Sequence, residues 1–153
     1  MRYRNLGFLC RWQSAVSIGS LTSMWLNRLL NKNSKDGPLG ARGEKAAAAY
    51  LRRTLGMKIL ARNVLCPGGE LDIVALDGED LVFVEVRTWS REESGPPEKT
   101  ITANKKRFLR RSARWYMAKR RLTHLNPRFD VVAIIWPAGS EPEIRYHRSA
   151  FAP

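Results

Sequence analysis

Apolar positions along the chain switch between helical and alternating spacing, and each switch marks an element. From Arg42 to Leu55 the string RGEKAAAAYLRRTL consists of strong helix formers, and Gly56 is placed to stop the helix. Glu44, Ala47, Ala48, Leu51 and Leu55 fall on one face of it, so a carboxylate belongs to the stripe that packs inward. KILARNVL (58 to 65) reads as a strand, and Pro67, Gly68 and Gly69 as the turn after it. Two more strands, 70 to 76 and 81 to 87, join across DGED, and SREESGPPEK then forms a polar loop. Helical spacing returns from Ile101 to Arg121, with Phe108, Leu109, Ser112, Ala113, Tyr116 and Met117 as the inner stripe. RFDVVAIIW (128 to 136) is nearly all apolar, as expected of a strand covered on both faces, and EIRYH (143 to 147) reads as a short edge strand.

The order helix, three strands, helix, strand, with a further strand at the end, predicts an α/β fold: a mixed central sheet flanked by helices. At 153 residues one domain is expected, here 39 to 153. Residues 1 to 38 read as a basic extension that closes with the polar linker NKNSKDGPLG (31 to 40). Its uncharged run from Ser14 to Asn27 is too short and too rich in serine to cross a bilayer, so no stable membrane insertion is expected. Arg11 and the lack of an A-x-A site argue against a secretory signal. Trp25, Leu26, Leu29 and Leu30 have the spacing of a short amphipathic helix, and Met24 is a candidate translation start.

Charge changes the picture most. Lys and Arg number 27 against 14 Asp and Glu, a net charge of +13, which favours a polyanionic partner such as nucleic acid or an acidic membrane surface. Cys10 and Cys66 lie far apart and His124 and His147 are the only histidines, so neither a zinc cluster nor a disulfide scaffold is expected. A reducing, cytoplasmic setting follows naturally.

The candidate chemistry lies in ELDIVALDGEDLVFVEVR (70 to 87), where Asp72 and Glu85 sit among strand-forming apolar residues. Val82, Val84 and Val86 point to one face, and Leu81, Phe83, Glu85 and Arg87 to the other. A turn centred on Asp77-Gly78 puts Asp72 diagonal to Glu85, and one centred on Gly78-Glu79 puts it directly opposite. Either even-numbered turn brings both acids to one face, whereas an odd loop would need a bulge to restore the parity. Two carboxylates about 4 Å apart repel by roughly 4 kcal/mol at an effective dielectric near 20, and so demand a proton, a cationic side chain or a metal ion. Arg87 neutralises only one of them. Ligation by Asp72 and Glu85, with a peptide carbonyl and waters, suits Mg²⁺ or Mn²⁺ and phosphodiester hydrolysis. The same spacing also fits a solvated salt bridge worth about 0 to 1 kcal/mol, and Glu44 alone fits an acid answering the helix dipole.

Between Lys99 and Arg121 there are ten Lys or Arg residues and no acid. Lys105, Lys106, Arg107, Arg110 and Arg114 form the expected contact set for a sugar-phosphate backbone, since a merely solvated face mixes its signs. Nothing in the chain reads a base sequence, so affinity for backbone or branched shape is expected.

Taken together, GARGEKAAAAYL, ILARN, GELDIVALDGEDLVFVEVR, the basic helix and RFDVVAI resemble the YraN-like proteins over residues 39 to 136. That bacterial family is similar to the Holliday junction resolvases of the PD-(D/E)xK nuclease superfamily. The resemblance implies a restriction-endonuclease-like core, with Asp72 and Glu85 as metal ligands and Glu44 assisting metal or water. It also implies a catalytic base or charge stabiliser at position 87. The superfamily motif has Lys there and this chain has Arg, which stays protonated and is unsuited to act as a base. Two readings result: a Mg²⁺-dependent endonuclease on branched DNA, with a two-fold dimer implied by analogy, or a non-catalytic nucleic-acid-binding module that keeps the fold. A third class is an interaction protein that joins an assembly through its amino-terminal helix.

Overall fold

The computed structural model describes residues 38 to 67, 69 to 91 and 101 to 153. The amino-terminal helix read around Met24, and most of the linker and polar loop, lie outside the described residues. Helix α1 runs Leu39–Arg53 and starts before position 42. Pro38 explains the early start: its ring presets φ at −60°, and its carbonyl accepts the Arg42 N–H at 3.1 Å, so the helix begins without a side-chain cap. The helix closes at Thr54, and Gly56 follows with φ +71°, the left-handed conformation expected of the stop.

Strands β1 (Lys58–Cys66), β2 (Gly69–Asp77) and β3 (Asp80–Trp89) form an antiparallel meander. Helix α2 (Ala103–Arg120) then crosses to β4 (Asn126–Ile135), which pairs parallel with β3. β5 (Glu143–Phe151) pairs antiparallel with β4, so the spatial order equals the chain order, β1-β2-β3-β4-β5. The mixed sheet with two helices is the expected α/β arrangement and is consistent with a nuclease-like core. β5 outruns the expected 143 to 147 because a register shift between Phe129 and Val131 lets it continue, and Phe151 stacks on Phe129 at 4.9 Å.

Each helix buries its apolar stripe against one face of the sheet. Ala47, Ala48 and Leu51 of α1 pack on Ile73, Ala75, Val82, Val84, Val132 and Ile134, the two alanines allowing close approach. Leu109, Ala113, Tyr116 and Met117 of α2 pack on Leu71, Val74, Leu81, Phe83 and Phe129. The alternation along β3 is as expected, with Val82 and Val84 in the first core and Leu81 and Phe83 in the second. β4 is buried from Phe129 to Ile135, as a strand covered on both faces must be.

One end of the sheet is tied by a buried ionic network. Arg128 bonds Asp77, Asp80 and Asp130, and the fully buried Asp130 also accepts from Tyr146 Oη (2.6 Å) and the Ser149 N–H (2.8 Å). Burial lowers the Arg128 pKa, but hydrogen bonds and charge from Asp130, Asp77 and Asp80 outweigh that and hold the guanidinium firmly protonated. Every carboxylate of this network has a cationic partner, which marks it as structural.

Candidate functional site

The opposite end of the same hairpin carries the acids. β2 and β3 pair Ile73 with Val84, Val74 with Phe83 and Asp77 with Asp80, so the turn is Gly78-Glu79 and the paired ladder ends at Ile73 and Val84, with Asp72 and Glu85 each one residue beyond it. Gly78 occupies the first central turn position at φ +61°, which glycine takes at least cost. Of the two turns compatible with the sequence, this is the one that brings the acids level with each other along the strands. At this level the Val86 N–H donates to Asp72 Oδ2 at 2.9 Å, which fixes the side chain on the strand beside Glu85.

Asn63 of β1 extends the row. The pairs Arg62 with Ile73 and Val64 with Leu71 leave it across from Asp72, at φ +53°. Its Nδ2 donates to Glu44 Oε2 at 2.8 Å, so α1 delivers the third carboxylate to the same neighbourhood. Glu44 and Glu85 are both buried. Gly43, the residue before Glu44, lies so close to β3 that a Cβ there would stand 1.9 Å from Thr88 Oγ1, and this close approach brings the start of α1 to the pocket.

Glu85 has a cation on each oxygen. Arg87 Nε lies 3.5 Å from Oε1, and Lys105 Nζ lies 2.9 Å from Oε2. The second contact is off the direction a hydrogen bond requires, so it is an ion pair held by charge alone. Asp72 responds to all of its neighbours. Burial chiefly, then the negative charge of Glu85, raises its pKa from 3.8 to about 7; the Val86 hydrogen bond and Lys105 pull it down, and Glu44 pushes it up. A carboxyl poised near neutrality among like charges gains most from a cation.

Among the described residues no three His, Cys, Asp or Glu side chains converge on one ion position. Asp72 and Glu85 are a pair of neighbouring carboxylates and not part of a three-ligand cluster. Such a donor set fits Mg²⁺ or Mn²⁺, which keep several waters and draw remaining ligands from substrate phosphates. It does not fit a closed structural cage. Cys66 offers no competing chemistry, because burial pushes its thiol up and away from the reactive thiolate.

The basic residues of α2 divide by what they touch. Lys105 enters the acidic pocket. Lys106 lies over the Phe151 ring, and Arg110 lies over the same ring while its Nε donates to the Ala152 carbonyl at 2.9 Å, so both partly serve to hold β5. Arg107 and Arg114 face a cavity of about 300 Å³ lined also by Asn104, Phe108 and Arg111. Sequence reasoning left out Arg111, Asn63 and the position of Lys105 inside the pocket. Two of these carried a signal: asparagine is unusual in a strand but tolerates positive φ, and a lysine in the first turn of a helix opposes the helix dipole. No acid stands in that first turn to compensate.

Two neighbouring carboxylates at the open end of the hairpin, with a basic helix beside them, belong to a small α/β protein whose fold is consistent with a nuclease-like core. The chain belongs to the Uncharacterised protein family UPF0102, whose model matches residues 43 to 134 and so spans Glu44, Asn63, Asp72, Glu85, Arg87 and Lys105. It is 50% identical over 113 residues to a UPF0102 protein of Syntrophotalea carbinolica, covering 74% of this chain and 90% of the relative. A UPF0102 protein of Geobacter metallireducens is 43% identical over 113 residues, covering 74% of this chain and 91% of the relative. One from Moorella thermoacetica is 48% identical over 95 residues, 62% of this chain and 78% of the relative. Among the described residues no helix is long and apolar enough to cross a membrane.

Proposed function

We propose that the protein is a Mg²⁺- or Mn²⁺-dependent endonuclease acting on branched DNA in the cytoplasm. The observation that carries this reading is the closeness of Asp72 and Glu85 just beyond the paired end of the hairpin, with a cation-rich helix beside them. In the proposal Asp72 and Glu85 hold the ion, and Glu44, oriented by Asn63, positions a water. The ion supplies polarisation of the phosphate and a lowered pKa for an attacking water. Arg87 stabilises charge developing on the phosphate, and as an arginine it is unsuited to act as a base. Arg107, Arg111 and Arg114 hold the backbone along their cavity, supported by Lys106 and Arg110 on the flank. A two-fold dimer would match the symmetry of a junction.

Arginine at position 87 favours a second reading, a DNA-binding module without hydrolysis. One assay separates the two. Branched DNA is incubated with the full chain in Mg²⁺, and binding is measured in parallel in EDTA. Cleavage by the wild type that is lost in Asp72→Ala and Glu85→Ala, with binding retained, supports the enzyme. Binding without cleavage by the wild type selects the module, and absence of both removes the nucleic-acid reading.

A further inference from the structure

Lys105 does not behave as a surface residue of the basic helix. Its ammonium covers Glu85 Oε2 while Arg87 covers Oε1, so both oxygens of the buried carboxylate are matched by cations. A divalent ion that uses Glu85 has to take the place of one of them. Arg87 is a planar, delocalised cation, whereas Lys105 is a compact charge on a flexible stem. Glu85 Oε2 and Arg87 Nε alike lack a directed hydrogen bond, and both side chains are partly exposed, Arg87 at 37% and Lys105 at 29%, so the choice rests on the flexible stem of Lys105. It has somewhere to go: Nζ lies 5.6 Å from the Phe108 ring, and Phe108 lines the cavity shared by Asn104, Arg107, Arg111 and Arg114.

We propose that Lys105 is a resident counter-ion of the carboxylate pair, which a divalent ion displaces from Glu85 towards the arginine-lined cavity, where it joins the contacts to a nucleic-acid phosphate. The inference rests on the reading above that Asp72 and Glu85 bind such an ion. It adds a coupling: metal binding frees a cation for DNA, and by reciprocity bound DNA tightens the metal. It also explains why a lysine occupies the first turn of α2, where the helix dipole disfavours it.

Two measurements on the full chain test this without reference to catalysis. The first is acylation of lysine amines read peptide by peptide in a mass spectrometer, with and without Mg²⁺, on the wild type and on Glu85→Gln. Lys105 is expected to label slowly in the metal-free wild type, several-fold faster with Mg²⁺, and fast in Glu85→Gln irrespective of metal. The second is Mn²⁺ binding by calorimetry, with Lys105→Met expected to bind about tenfold more tightly than the wild type and Lys105→Arg no more tightly. If the wild type binds Mn²⁺ in a Glu85-dependent way but Lys105 labelling ignores the metal, the displacement is refuted and the metal site survives. If neither the wild type nor Lys105→Met binds Mn²⁺, the metal site and the displacement fall together. Binding by Lys105→Met alone supports the displacement and shows the resident lysine to be the stronger competitor.

Discussion

Asp72 is the residue at which the fold gives up stability. Its carboxyl is raised from 3.8 to about 7 mainly by burial and then by Glu85, so between these values the folded chain holds a proton that the unfolded chain has lost. Stability contributed by the protonated form is present below about pH 4 and declines as pH rises towards 7, the reverse of an acid held by a salt bridge. Asp72→Asn keeps an oxygen for the Val86 N–H and removes the charge. It is expected to stabilise the metal-free protein by about 1 to 3 kcal/mol at pH 8, with the gain falling away from about pH 7 downward and nearly gone at about pH 4. Urea unfolding of both proteins at the two pH values checks this, and a constant difference would refute it. Asn63 and Lys105 belong to the same scale, each in a position its residue type does not favour on local grounds, and each touching an acid of the pocket.

Helix α1 matters through where it starts. Pro38 launches it, and Gly43 lets it lie against Thr88 of β3, which sets Glu44 beside Asn63. A methyl group at position 43 has no room, since its Cβ would stand 1.9 Å from Thr88 Oγ1 and 2.9 Å from Thr88 Cβ. Gly43→Ala is therefore expected to destabilise by about 1 to 3 kcal/mol, offsetting the helix propensity it adds. Thr88→Ala should recover part of the loss in a double-mutant cycle, because the closest atom is removed. Additive effects of the two substitutions would show that the contact is not the cause. Helix α2 acts differently: its inner stripe fastens it to Leu71, Phe83 and Phe129, and its first turn reaches Glu85.

At the scale of the whole molecule, the two ends of one hairpin are treated in opposite ways. At the turn, Arg128 hydrogen-bonds Asp77, Asp80 and Asp130, with Arg148 3.6 Å from Asp77 and Asp80, while at the open end Glu85 has Lys105 and Arg87 and Asp72 accepts, among the described residues, only a backbone N–H. The first arrangement holds β3, β4 and β5 together, and the second leaves charge for a ligand. With a net charge of +13, the chain as a whole attracts polyanions, so weakening by salt alone does not locate the contact. The slope does. Replacing Arg107, Arg111 and Arg114 together by Ala is expected to lower the slope of log K against log salt by about 2 to 3, whereas Lys119→Ala and Arg120→Ala lower it by less. Equal losses in both sets would place the DNA elsewhere on the surface.

Periodicity alone was enough for the elements, because burial on one face of a helix or strand imposes a spacing that can be counted. The stripe of Ala47, Ala48 and Leu51, the alternation along β3 and the full burial of β4 were legible for that reason. That Asp72 and Glu85 share one face followed only for an even-numbered turn. The turn itself was not legible, since two positions satisfied the same pattern and only the strand register chose Gly78-Glu79. Nor could Lys105 be assigned from its neighbours in the chain, among which it reads as one more basic residue. Its ion pair with Glu85 exists because the crossover after β3 brings the first turn of α2 back over the hairpin, and a contact between residues that far apart is decided by how the layers pack.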